Sequence, residues 1–130
     1  MVTTRTDPTQ ATWLAGMKDR LHSMRDELLA RHEQASDELA MAPEDRGEDT
    51  TPSQHPADVA DDLDRRELLV ARHEIDSRAL ADVEAALSRI DAGSYGTCID
   101  CDREIPRERL DALPQAARDV ECEQRFRQQR

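Results

Sequence analysis

Aromatic residues are nearly missing from this 130-residue chain: one Trp, one Tyr and one Phe make up 2% of it, while 36% is charged. A single compact core needs more apolar bulk than that, which leaves an elongated helical assembly or a partly disordered chain. Long apolar runs are absent too. Nothing approaches the roughly 18 residues of a membrane span, and the opening MVTTRTDPTQ has no apolar stretch to direct the chain elsewhere. Catalytic signatures are equally lacking. His73-Glu74 is followed by Ile75, Asp76 and Ser77 rather than by a second histidine in zincin spacing. No His-x-Glu partners a Pro-Cys-x-x-Cys as in deaminases, and no Gly-rich phosphate loop occurs. These absences predict a protein that is not an enzyme. Three cysteines, two of them in Cys-x-x-Cys, fit thiol or metal chemistry in a reducing, cytoplasmic compartment rather than a secreted disulfide framework.

The net charge of −11 is unevenly spread. Residues 43–64 alone hold eight acids (Glu44, Asp45, Glu48, Asp49, Asp58, Asp61, Asp62, Asp64) against Arg46. Phosphate backbones would repel such a surface, so direct DNA binding through it is not expected. A basic cavity or a cation-containing site would attract it.

Periodicity decides for helix. After a flexible tail over 1–9, Leu14, Met17, Leu21, Met24, Leu28 and Ala35 recur at steps of three, four and seven, a heptad seam running from Gln10 to Ala42. The same spacing also lands on Arg31 and Glu38, so the seam weakens toward its far end. Residues 43–56 carry Pro43, Pro52, Pro56 and Gly47 and read as an acidic loop. Pro56 suits the first position of a second helix, whose apolar series is Val59, Leu63, Leu69, Leu80, Val83, Leu87 and Ile90, with His73 and Asp76 interrupting it. Gly93 ends it. The expected architecture is all-α: a long antiparallel coiled-coil hairpin over 10–92 with a tip loop at 43–56, then a small zinc-ribbon-like knuckle and terminal helix over 93–130. Such a pair buries only a narrow stripe, which accounts for the few aromatics. A monomer is expected, and most of its charges are read as solvated helix faces.

Cys98 and Cys101 follow Gly93 and Gly96 on what should be a tight turn, and two thiolates at this spacing can face one cation. A second knuckle is expected about 15–20 residues on. There the chain offers Asp119-Val-Glu-Cys122, with Asp in the place of the first thiol. The candidate metal set is therefore Cys98, Cys101, Cys122 and Asp119, for one zinc ion whose fourth ligand the sequence leaves open. A metal-free remnant held by packing and a redox-active thiol pair are the other two readings.

Gly93-x-Tyr95-Gly96-x-Cys98-x-x-Cys101, Ile105-Pro106, Arg109-Leu110-x-Ala112-x-Pro114 and Cys122 together resemble the DksA/TraR family of bacterial transcription regulators, and the helices before them resemble its longer members. The resemblance implies a partner, RNA polymerase, whose secondary channel the coiled coil enters without DNA contact, often acting with the alarmone ppGpp. It also implies a tip motif, Asp-x-x-Asp-x-Ala, acting near the catalytic magnesium. Counted back from Cys98, that motif falls on His55, Asp58 and Ala60, with His55 replacing the first Asp. A neutral imidazole offers one donor and one acceptor where a carboxylate only accepts. The resemblance thus implies a polymerase-binding regulator. Beside it stand a family-derived structural or stress module without transcriptional activity, and a thiol or metal redox sensor.

Overall fold

The computed structural model describes residues 8–41 and 56–129, with residues 56–59 described by backbone alone. Four helices follow in order: α1 (Pro8–Met41), α2 (Pro56–Ala92), α3 (Arg107–Ala112) and α4 (Val120–Gln128). Among the described residues there is no strand, only one antiparallel bridge between Thr97 and Glu104. This is the all-α class expected from the sequence, with two long helices followed by a small finger. Both long helices open on proline, where the missing N–H is no loss. α1 begins two residues before Gln10 and ends one before Ala42.

The chain divides into two compact units, one made of Met1–Asp26 with Leu80–Arg130 and the other of Glu27–Ala79. In the first unit, Met17 and Leu21 of α1 and Val83, Ala86 and Leu87 of α2 are buried. Trp13 meets Tyr95 and Lys18 reaches Asp91, so later α1 residues meet earlier downstream ones, as antiparallel segments must. α2 closes with a Schellman motif: Ser94 N–H donates to Arg89 O at 2.9 Å and Gly93 N–H to Ile90 O at 3.2 Å. That closure needs a left-handed residue, and Gly93 sits at φ +79°. The sequence-based stop at Gly93 rests on this geometry.

In the second unit the seam is thinner. Leu28 and Ala35 are buried on α1, but the buried α2 residue is the carboxylate Asp76, 4% exposed. Arg31 donates to it at 2.5 Å while keeping much of its own guanidinium in water. Beside this pair the His32 and His73 rings lie 4.2 Å apart, and Ser36 Oγ sits 3.1 Å from His73 Nε2. The interruption read at His73 and Asp76 is therefore a polar layer whose groups satisfy one another. Leu63, assigned to the seam from its sequence, is instead 58% exposed. Six positions before Leu69 is roughly 120° round the helix, off the buried face. Leu68, Val70 and Ile75 are exposed as well. Val59 belongs to the residues whose side chains are not described.

Leu21, fully buried, and Leu63, exposed, set a contrast for mutation. Leu21→Ala is expected to destabilise the chain by about 2–5 kcal/mol, and Leu63→Ala by no more than about 0.5 kcal/mol. Urea unfolding followed by helical circular dichroism measures both. Equal midpoints for the two variants would contradict the assigned packing.

Candidate metal centre

The finger begins where α2 stops. Gly96, at φ +90°, lets Ile105 N–H reach Gly96 O at 2.7 Å. Cys98 N–H donates to Arg103 O, and Asp102 N–H back to Cys98 O. These bonds close a tight loop around Cys98–Cys101. The turn also needs Asp102 at φ +59°, a left-handed conformation that a short Asp side chain tolerates better than most. On the other side, Asp119 caps α4: its Oδ1 accepts from Cys122 N–H at 2.8 Å. The two halves are held together by Ile99 N–H on Ala117 O and by Arg118, which donates to Asp100 at 2.7 Å and lies over the Phe126 ring. Tyr95 O–H donates to Pro114 O at 2.7 Å, fixing the loop between α3 and α4.

The result brings together the four residues singled out from the sequence. One ligand atom from each of Cys98, Cys101, Asp119 and Cys122 lies within 4.8 Å of every other. A tetrahedral ion with Zn–S bonds near 2.3 Å holds its sulfurs about 4 Å apart, so the donors are already at the spacing the ion needs. Three soft thiolates and one oxygen form a set that zinc accepts. Cys98 and Cys122 are buried, while Cys101 and Asp119 are half-exposed, so the ion's place is shielded on one side.

The electrostatics of the metal-free site are asymmetric. Burial opposes a thiolate at Cys98, but backbone N–H groups of Asp119, Cys101 and Asp100 outweigh it and hold that thiol down at about 7. At Cys122 burial, then contact with Asp119 and the two other thiols, pushes the group up to about 12. At Cys101 the Arg103 N–H favours the thiolate, yet hydrogen bonding to Asp119 and burial raise the thiol on balance. Its Sγ donates to Asp119 Oδ2 at 3.1 Å. The Cys122 N–H and the Cys101 thiol keep the Asp119 carboxyl below its ordinary range.

A buried cluster underlies the site. Met17 of α1 packs with Cys98, Ile105, Leu110 and Cys122, and Trp13, Tyr95, Cys101 and Ala116 lie against it. Trp13 Nε1 donates to Asp111 and Arg107 stacks over the indole at 4.7 Å. Sequence reading did not single out Trp13 in this role. Its position, four residues before Met17 in α1, was the available signal. His55 lies outside the described residues; Asp58 falls in the first turn of α2 with its side chain outside them; Ala60 is exposed.

Comparison with known proteins places residues 93–128 in the prokaryotic dksA/traR C4-type zinc finger family. That family finger and the donor set together assign one zinc ion to this chain. The uncharacterized protein YteA of Bacillus subtilis is 41% identical over 70 residues, 54% of this chain and 29% of that protein. General stress protein 16O of the same organism is 44% identical over 50 residues, 38% of this chain and 31% of that protein. The chain thus spans about a third of the length of these two relatives. The RNA polymerase-binding transcription factor DksA of Haemophilus influenzae is 27% identical over 105 residues, 81% of this chain and 72% of that protein. The solved structure of transcription factor DksA2 from Pseudomonas aeruginosa superposes with a TM-score of 0.71 at 25% identity, covering 99% of this chain and 92% of that one.

Zinc binding here must displace protons, because the Cys101 and Cys122 thiols are raised above their ordinary value. Each proton released makes apparent affinity rise about tenfold per pH unit. Competition titrations between pH 7 and 8 are therefore expected to show zinc bound at least about tenfold tighter at the higher pH. A pH-independent affinity would contradict protonated thiols in the metal-free site. Chelation should also expose three titratable thiols that the zinc form protects.

Proposed function

We propose that this chain, which belongs to the DksA/TraR family, is a transcription regulator that binds RNA polymerase through its helical pair, in the enzyme's secondary channel. The whole-chain likeness to a solved transcription factor carries this reading, since it includes both long helices as well as the finger. The relative named as polymerase-binding, matched over 81% of this chain, supports it. Catalysis has no place in the proposal; the family is one of transcription factors.

Each part of the chain then has a physical task. Cys98, Cys101, Cys122 and Asp119 are the proposed ligands of a structural zinc ion, which supplies cross-linking within the finger rather than chemistry. The finger's core takes in Met17 and Trp13, so it clasps the start of α1 beside the end of α2. At the other end of α2, Asp61, Asp62 and Asp64 are exposed. That acidic face would be drawn toward a polymerase site holding a divalent cation. Asp58 and Ala60 are the proposed acting tip residues, with His55 where the family motif has Asp. Imidazole cannot reproduce a carboxylate's acceptor-only character, and its protonated form is repelled by a cation. Binding with an altered regulatory output is the expected consequence.

The histidine at position 55 also favours a second reading, a stress-related module of the family that no longer acts on transcription. Among the relatives, General stress protein 16O matches this chain at 44% identity. Co-purification with RNA polymerase tests the main reading. The native chain is expected to associate, and Asp58→Asn to retain association while losing its effect on initiation. His55→Asp should strengthen that effect. A native chain that fails to associate removes the polymerase reading, and association without any response to His55→Asp favours the second.

A further inference from the structure

Both oxygens of Asp119 are engaged at once. Oδ1 accepts the Cys122 N–H at 2.8 Å and thereby caps α4, while Oδ2 accepts from the Cys101 thiol at 3.1 Å, inside the four-donor cluster. We propose that Asp119 divides its carboxylate between capping α4 and ligating the metal, and that this division sets the metal preference of the site toward zinc and away from softer ions. The inference rests on the four-donor reading of the zinc site.

Three features of the chain support it. First, the cap comes from the donor in the place of a family thiol. Asp ranks among the best N-caps and a cysteine sulfur is only a weak acceptor, so the substitution strengthens the cap rather than only removing a thiol ligand. Second, the capping bond fixes the carboxylate's rotation, which leaves Oδ2 turned toward Cys101 Sγ. A free carboxylate would lose rotamer freedom on binding a cation; this one has already lost it. Third, the bond runs to the backbone N–H of Cys122, itself a donor to the ion. Capping and ligation thus share one residue pair, and the first turn of α4 is set by the same group that completes the site. Binding of a divalent ion by the four donors would release the protons of the Cys101 and Cys122 thiols to solvent and free Asp119 Oδ2 from its contact with Cys101.

An oxygen in a sulfur-rich site also changes which ions fit. A fourth thiolate would favour cadmium and copper(I), because soft ions gain most from sulfur. A carboxylate suits zinc, a borderline ion, and offers the softer ions little.

Two variants separate the two roles. Asp119→Asn keeps a capping oxygen but removes the charge; Asp119→Cys supplies a fourth thiol but replaces the capping oxygen with a weaker sulfur acceptor. Fluorescence of Trp13, which packs against the finger, checks that each variant folds. Zinc and cadmium affinities are measured by competition, and cobalt(II) substitution reports thiolate number through its charge-transfer absorption. Amide exchange at Cys122 in the metal-free chain reports the cap. Asp119→Asn is expected to weaken zinc at least about tenfold with Cys122 protection kept. Asp119→Cys is expected to raise the cadmium-to-zinc preference at least about tenfold, to raise the intensity of the thiolate-to-cobalt charge-transfer absorption by about a third as three thiolates become four, and to speed Cys122 exchange on the order of fivefold. Unchanged zinc affinity in Asp119→Asn overturns the ligand role. Equal Cys122 exchange in all three proteins overturns the cap. A native chain that takes up no zinc sinks the zinc reading itself, which is distinguishable from either result.

Discussion

Two of the three thiols in this chain are core side chains as well as metal donors. Cys98 is fully buried and Cys122 nearly so, and both belong to the cluster that includes Met17, Ile105 and Leu110. With so few aromatics available, the finger cannot form a separate apolar core and a separate metal site. Sulfur fills both roles. Loss of the ion would leave Cys98 and the raised Cys122 thiol uncompensated inside the only apolar cluster the finger has among its described residues, so metal retention and packing are one property here.

That economy extends to α1. Trp13 and Met17 approach the finger from the start of the first helix, and Lys18 with Asp91 and Tyr95 with Pro114 fasten the surroundings. The arrangement makes the finger a clasp on the helix ends beside it. Two long helices with little apolar material between them need their pairing held at the ends, and a clasp of this kind supplies that without a large core.

Much of this was legible in the sequence, and the reasons differ by element. Gly93 could be placed because a Schellman closure demands a left-handed residue, and only glycine meets that cheaply. Met17 and Leu21 could be placed because heptad spacing maps directly onto one helix face. Cys98, Cys101, Asp119 and Cys122 could be grouped because ligand spacing along a chain is short-range information. Leu63 was misplaced because an apolar residue off the repeat still reads as apolar. The Arg31–Asp76 pair escaped notice since a carboxylate on a seam looks like a defect until its partner on the other helix is seen. Asp119's capping role was hidden behind its proximity to Cys122, although Asp followed by acids in the next turn, here Glu121 and Glu123, is itself an N-terminal signature.

The polar layer of the second unit has a consequence for alignment. An apolar stripe of small and exposed residues would allow the two helices to slide by one heptad at little loss. Here such a slip in either direction would take Asp76 away from Arg31, in one of them toward Glu38, and separate His73 from Ser36. A buried carboxylate set against another acid is strongly unfavourable, so the layer acts as an index mark that admits one register. Stability is a poor description of what Asp76 contributes; it tells each helix where along the other it belongs.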